Sequence, residues 1–153
     1  MGRFRFRLQR VLDYRTSLVE AQEAELGRRA FLLRSAEQDL ADVMQQQRGL
    51  LEDMTAMSAG PVRADRAKAA WDYWDQLRQE HERSEQVVQA RQNDVDEARA
   101  RLTDLRKEEK VMEKLKERQR ACADTAERRQ EVKDLDDLTT TRFGHAYGEG
   151  SAK

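Results

Sequence analysis

Apolar residues recur every seven positions in the first third of the chain. One series runs from Leu12 to Met54 and is aliphatic at five of its seven positions. A companion series from Leu8 to Met57 is more polar, with Arg15 and Arg29 among its members. A seven-residue apolar repeat is typical of a helix that supercoils with a partner helix. The polar members predict that this coiled coil is only marginally stable.

A second repeat begins near Ala67 and continues to Leu105 with spacings close to three and four. It then slips through Glu108 and Glu109 before resuming at Met112, which predicts a local change in winding. The interface residues expected before the slip are Ala67, Trp71, Trp74, Leu77, His81, Ser84, Val88, Val95, Ala98, Leu102 and Leu105.

Gly60 and Pro61 separate the two repeats, and Pro61 is the only proline. Glycine at the end of one helix and proline near the start of the next are the usual punctuation of helix ends. The sequence therefore predicts an all-α fold, a two-helix antiparallel coiled-coil hairpin that forms a single domain. The expected parts are a flexible arm (1–7), helix 1 (8–57), a turn (58–61), helix 2 (62–140) and a disordered tail (141–153).

The two expected helices differ in length. At a rise of ~1.5 Å per residue, the first would extend about 75 Å and the second about 115–120 Å. Folding back at Gly60 places Leu8 opposite about residue 113. The residues from about 114 to 140, called the unpaired segment below, would then have no partner helix. An isolated helix needs packing to persist, so another surface should complete it.

Composition and charge narrow the function classes. Charged residues make up 39% of the 153 residues, which exceeds the usual quarter and fits helices that bury one narrow stripe. The net charge of -1 argues against a nucleic-acid binder. A single cysteine, Cys122, excludes an internal disulfide and a cysteine-rich metal site, and is most simply a small interface residue. No apolar run suggests a membrane span or a secretory signal, so we expect a cytosolic protein.

The sequence contains no recognisable catalytic chemistry. His81 falls in the expected interface and His145 in the expected tail, while Asp134, Asp136 and Asp137 cluster on an exposed helix end. No phosphate-binding glycine loop, HExxH motif or Cys/His pair is present. We therefore expect no catalytic residues, no metal site, no cofactor and no enzymatic activity.

Two clusters are candidate contact sites. Phe4 and Phe6 alternate with arginines, which fits either a free basic arm or an arm with two aromatic anchors for a partner. A nucleic-acid role for the arm is disfavoured, because no basic surface extends it. The other cluster, Trp71-Asp72-Tyr73-Trp74, either packs the tip of the hairpin or docks a partner. If Trp71 and Trp74 point inward, Tyr73 must point outward.

Four stretches resemble FliJ-type flagellar export proteins, in matching order over nearly the whole chain. They are residues 1–15 (MGRFRFRLQRVLDYR), 57–60 (MSAG), 115–119 (LKERQ) and 131–138 (EVKDLDDL). The resemblance implies a non-enzymatic component of the flagellar type III export apparatus. It also implies a coiled coil like the central stalk of rotary ATPases.

The resemblance further implies the partners. The end with both termini would insert into the export ATPase hexamer, helix 2 would contact the cytoplasmic domain of the export gate, and export chaperones would also bind. No nucleic acid is implied, and the protein would be cytoplasmic, peripheral to the inner membrane only through the export apparatus. The expected ATPase contacts are Phe4, Phe6, Leu8, Leu115, Arg118, Gln119, Val132, Leu135 and Leu138. For the gate, the resemblance implies Tyr73 and Leu77, and the aromatic cluster adds Trp71 and Trp74.

Two alternatives stay open at this point. The chain could be the equivalent stalk of a virulence type III secretion system. It could instead be an unrelated coiled-coil dimerisation or chaperone module, which would self-associate through the unpaired segment.

Overall fold

A computed structural model describes residues 4–148, with side chains described for residues 4–142. This part of the chain consists of two helices, α1 (Gln9–Met57) and α2 (Ala64–Gly148), and contains no strand. The two helices pack against each other. The predicted all-α hairpin with a longer second helix is therefore confirmed.

The helix boundaries differ from the predicted ones at the turn and at the end of α2. The turn runs to residue 63, where the Arg63 carbonyl accepts the first α2 hydrogen bonds, from the amides of Arg66 and Ala67. We predicted a disordered tail from residue 141. This prediction was wrong for residues 141–148, because α2 continues to Gly148. Residues 149–153 lie outside the described range.

Three successive threonines lie where the sequence predicted the end of α2, and their side chains bond within the helix. The hydroxyls of Thr139, Thr140 and Thr141 each donate to the main-chain carbonyl four residues earlier, at 2.5 to 2.8 Å. The helix therefore keeps local hydrogen bonds where the sequence predicted its end. No proline follows to stop it.

The chain divides into two compact units, each built from parts of both helices. The hairpin unit comprises Ser17–Arg106, and the terminal unit comprises Met1–Thr16 together with Lys107–Lys153. The sequence predicted one coiled-coil domain without this division.

Within the hairpin unit the helices run antiparallel in the predicted register. In α1, the side chains of Gln22, Arg29 and Gln47 donate to α2 carbonyls at residues 98, 94 and 77. The residue numbers in α2 therefore fall as those in α1 rise, which is the antiparallel arrangement. Both predicted α1 series lie at least half-buried within this unit. The buried side chains of the unit are Val19, Ala36, Val43, Leu77, Val95, Ala98 and Leu102.

Hydrogen bonds satisfy the polar members of this interface. Gln22, Arg29 and Gln47 all donate to main-chain oxygens, at 3.0 to 3.3 Å. No buried side-chain nitrogen or oxygen of the described residues lacks a partner. Arg29 also donates to Glu25 at 2.9 Å, and this bond, followed by that from Arg28, lowers the pKa of Glu25 below its ordinary value. The polar residues from which we predicted marginal stability therefore make directional hydrogen bonds between the two helices.

The predicted phase slip near residue 108 is absent. In the terminal unit Glu109, Met112 and Lys116 are half-buried at spacings of three and four, which continues the heptad pattern of α2. Glu109 can occupy an interface position because its carboxylate accepts a hydrogen bond from the Thr16 hydroxyl at 2.7 Å. Arg15 and Glu108 form an ion pair beside it.

Two glycines lie inside α1 with no structural need for glycine. A Cβ atom added at Gly27 or Gly49 would meet nothing within 4 Å. We therefore expect Gly27→Ala and Gly49→Ala each to raise the free energy of unfolding by about 0.5–1 kcal/mol, the helix-propensity difference. Urea unfolding followed by circular dichroism measures this. Gly60→Ala in the turn is the control, and it should raise the free energy of unfolding by less. Unchanged urea midpoints for both helix variants would contradict the prediction.

Candidate interaction surfaces

The candidate sites of this protein are the two contact clusters and the unpaired segment that the sequence predicted. No group of three or more His, Cys, Asp or Glu among them could hold a metal ion. His81 is an interface residue, as predicted, with Nδ1 2.9 Å from Gln47 Oε1 and Nε2 3.2 Å from a Glu85 carboxylate oxygen. In the part of the chain that the structure describes, neither helix has a stretch long and apolar enough to cross a membrane.

The aromatic cluster at the start of α2 splits between interior and surface. Leu77 is only 2% exposed and Trp74 is half-buried, so both pack inside the hairpin unit. Trp71 was predicted at the interface, but it is 60% exposed, and Ala70 occupies the interface position between Ala67 and Trp74. Tyr73 is exposed, as expected of an outward residue.

The two exposed aromatic residues do not form one continuous patch. Successive helical residues turn by about 100°, so Trp71 and Tyr73 lie about 160° apart around α2. They flank the buried positions of Trp74 and Leu77 on opposite sides. A partner that contacts both residues must therefore reach around the edge of α2, or two partners must each use one side.

The first described residues do not form a free arm. Phe6 is buried in the terminal unit, and its carbonyl accepts the Gln9 amide at 3.2 Å. Phe4 is half-buried and Leu8 is exposed. The prediction of a flexible arm was therefore wrong for residues 4–7, because Phe6 packs as a core residue. Residues 1–3 lie outside the described range.

The unpaired segment begins at residue 117 rather than at about 114. Leu115 and Lys116 are half-buried, whereas every residue from 117 to 142 is exposed except half-buried Ala123. Lys116 lines a groove together with residues near the start of the chain, among them Phe4 and Phe6, so the terminal unit reaches slightly beyond the predicted end of the pairing. Cys122, expected in the interface, is exposed. The exposed predicted contacts in this segment are Arg118, Gln119, Val132, Leu135 and Leu138.

A positively charged groove lies where the chain's first described residues meet α2. Its walls include Phe4, Arg5, Arg7, Arg10 and Lys116, together with Phe6 and Gln9, and its volume is about 760 Å³. We call this feature the basic groove. The arginine run is visible in the sequence, but Lys116 joins it only through the fold, so sequence reasoning missed the groove.

Comparison with known proteins identifies one family. A family model described as Flagellar FliJ protein matches residues 4–147. No curated protein and no solved structure matches the chain significantly. The family match includes the aromatic cluster, the unpaired segment and the basic groove.

Burial separates the members of the aromatic cluster by their effect on stability. We expect Leu77→Ala to lower the free energy of unfolding by about 2–4 kcal/mol, since it leaves a cavity between the helices. Trp71→Ala should change it by less than about 1 kcal/mol, because that side chain is mostly in solvent. Thermal and urea unfolding of the two variants give the comparison. Equal losses would contradict the distinction between core and surface.

Proposed function

This chain belongs to the FliJ family of flagellar proteins, and on that premise we propose that it is the stalk component that couples the flagellar export ATPase to the export gate. Membership of the family makes it a flagellar export-related protein, and that family is a non-catalytic component of the export apparatus. The observation that carries the finer proposal is the unpaired segment of α2, whose apolar side chains no other part of the described chain covers.

We propose that the unpaired segment inserts into the ring of the ATPase hexamer. Val132, Leu135 and Leu138 are 57%, 63% and 62% exposed. Exposed leucines on a helix that lacks a neighbour lose their contact with water when a partner covers them, which favours association. Arg118 and Gln119 add polar contacts near the start of this segment. Phe6 supports this contact indirectly, by packing the terminal unit rather than by touching the ring.

For the export gate, we propose a contact through Trp71 and Tyr73. Large aromatic side chains anchor many protein interfaces, and these two are exposed in the hairpin unit. Trp74 and Leu77 hold α2 against α1 and so position the aromatic pair. The gate contact is thus proposed for two of the four predicted residues.

We also propose that the protein binds export chaperones and acts at the cytoplasmic face of the inner membrane through the export apparatus. It would have no enzymatic activity of its own, and would act by bridging its partners. The virulence alternative has no observation in its favour, because the matching family is a flagellar one. One observation favours the self-association alternative, namely the exposed leucines of the unpaired segment.

The ring contact is tested by Leu135→Asp combined with Leu138→Asp. Both side chains are exposed, so helicity should be unchanged, while buried carboxylates would oppose entry into the ring. We expect stimulation of the purified flagellar export ATPase to fall about tenfold or more. ATP hydrolysis and ring assembly are measured with and without the full-length protein.

Phe31→Asp is the matched control, because Phe31 is equally exposed but lies in the hairpin unit. It should stimulate the ATPase as the unaltered protein does. Normal stimulation by the leucine variant would contradict the ring contact. If light scattering instead gave twice the chain mass for the unaltered protein and the single mass for the leucine variant, the self-association alternative would replace it.

The gate contact is tested by Trp71→Ala combined with Tyr73→Ala. We expect binding to the purified cytoplasmic domain of the export gate to weaken about tenfold, while ATPase stimulation stays unchanged. Isothermal titration calorimetry measures the binding. Val62→Ala, at another exposed apolar position near the turn, is the control. Undiminished gate binding by the double variant would rule out this surface.

A further inference from the structure

The lining of the basic groove departs from the charge balance of the chain. Of the seven residues that line it, four are cationic, namely Arg5, Arg7, Arg10 and Lys116, and none is acidic. The chain as a whole carries 29 basic and 30 acidic side chains. Four cations around one concavity of about 760 Å³ therefore form a local concentration of positive charge.

These four cations have no ion-pair partner among the described residues. By contrast, Arg28, Arg29 and Arg106 are all paired with glutamates. Like charges held close together repel one another, so this arrangement has a cost for folding. Local arrangements that disfavour folding, and that the rest of the chain does not offset, are expected at functional sites.

The start of α1 adds to that cost. The first turn of this 49-residue helix contains no acidic residue, although a helix N-terminus favours negative charge. Arg10 lies in that turn, and Arg5 and Arg7 precede it. An anion from outside the chain would reduce both the repulsion between the cations and their repulsion by the helix end.

We propose that the basic groove binds an acidic segment of a partner protein. Each guanidinium presents a planar set of N–H donors that can grip a carboxylate with two parallel hydrogen bonds. Three arginines and a lysine can therefore hold several carboxylates along one stretch of chain. Half-buried Phe4 adds an apolar wall for a side chain between them. The assignment does not depend on the ring or gate contacts.

The surroundings favour a protein segment over other polyanions. A nucleic acid needs a basic face that continues along its backbone, but the exposed acids Asp13, Glu113 and Glu117 lie close in sequence to the groove lining. An anionic membrane is a broad surface that needs protruding cations and aromatic residues. Here the cations line a concavity, and Phe6 is buried. A single acidic peptide matches both the shape and the limited extent of the charge.

The test uses the full-length protein and fluorescein-labelled octaglutamate, with binding followed by fluorescence anisotropy at low ionic strength. We expect binding that weakens as salt is added. Arg7→Gln combined with Arg10→Gln should weaken it about tenfold, if each lost surface pair is worth ~0.7 kcal/mol. Both side chains are exposed, so circular dichroism should show unchanged helicity. Octaserine should not bind.

Arg34→Gln combined with Arg48→Gln removes the same charge from exposed positions of the hairpin unit and is the matched control. It should bind octaglutamate as the unaltered protein does. Absence of octaglutamate binding, or equal weakening by both double variants, would overturn the proposal. So would tighter binding of phosphatidylglycerol vesicles or of a single-stranded oligonucleotide that also depends on Arg7 and Arg10.

Discussion

One narrow stripe on each helix supplies nearly all the packing between α1 and α2. Apolar burial is not directional and does not by itself fix how two such stripes are aligned. The side chains of Gln22, Arg29 and Gln47 are directional, because each donates to a particular main-chain oxygen of α2. A polar residue at a coiled-coil interface can specify register at a cost in stability, and these three residues are placed to do so.

A pair of helices has no second layer of structure to cover its outer faces. Trp71 lies away from the stripe and therefore stays in contact with water, and Leu135 and Leu138 do so because the unpaired segment has no helix opposite it. No other described residue covers them. This is a physical reason for a binding role, and it agrees with a family of non-catalytic export components.

Charge is arranged differently in the two units. In the hairpin unit Arg29 lies between Glu25 and Glu97, so its charge is balanced within the chain. In the terminal unit the cations of the basic groove have no such balance among the described residues. The same residue type is thus paired within the fold in one unit and has no ion-pair partner among the described residues of the basic groove in the other.

The sequence by itself determined the helical hairpin, its turn and the interface of α1, because heptad spacing and helix-ending residues act over a few turns of one chain segment. The tertiary structure decided what depends on distant residues. It kept Glu109 in the interface through the Thr16 hydroxyl, and it brought Lys116 to the arginines near the start of the chain. No local pattern could predict these two contacts, because each joins residues some ninety or more positions apart.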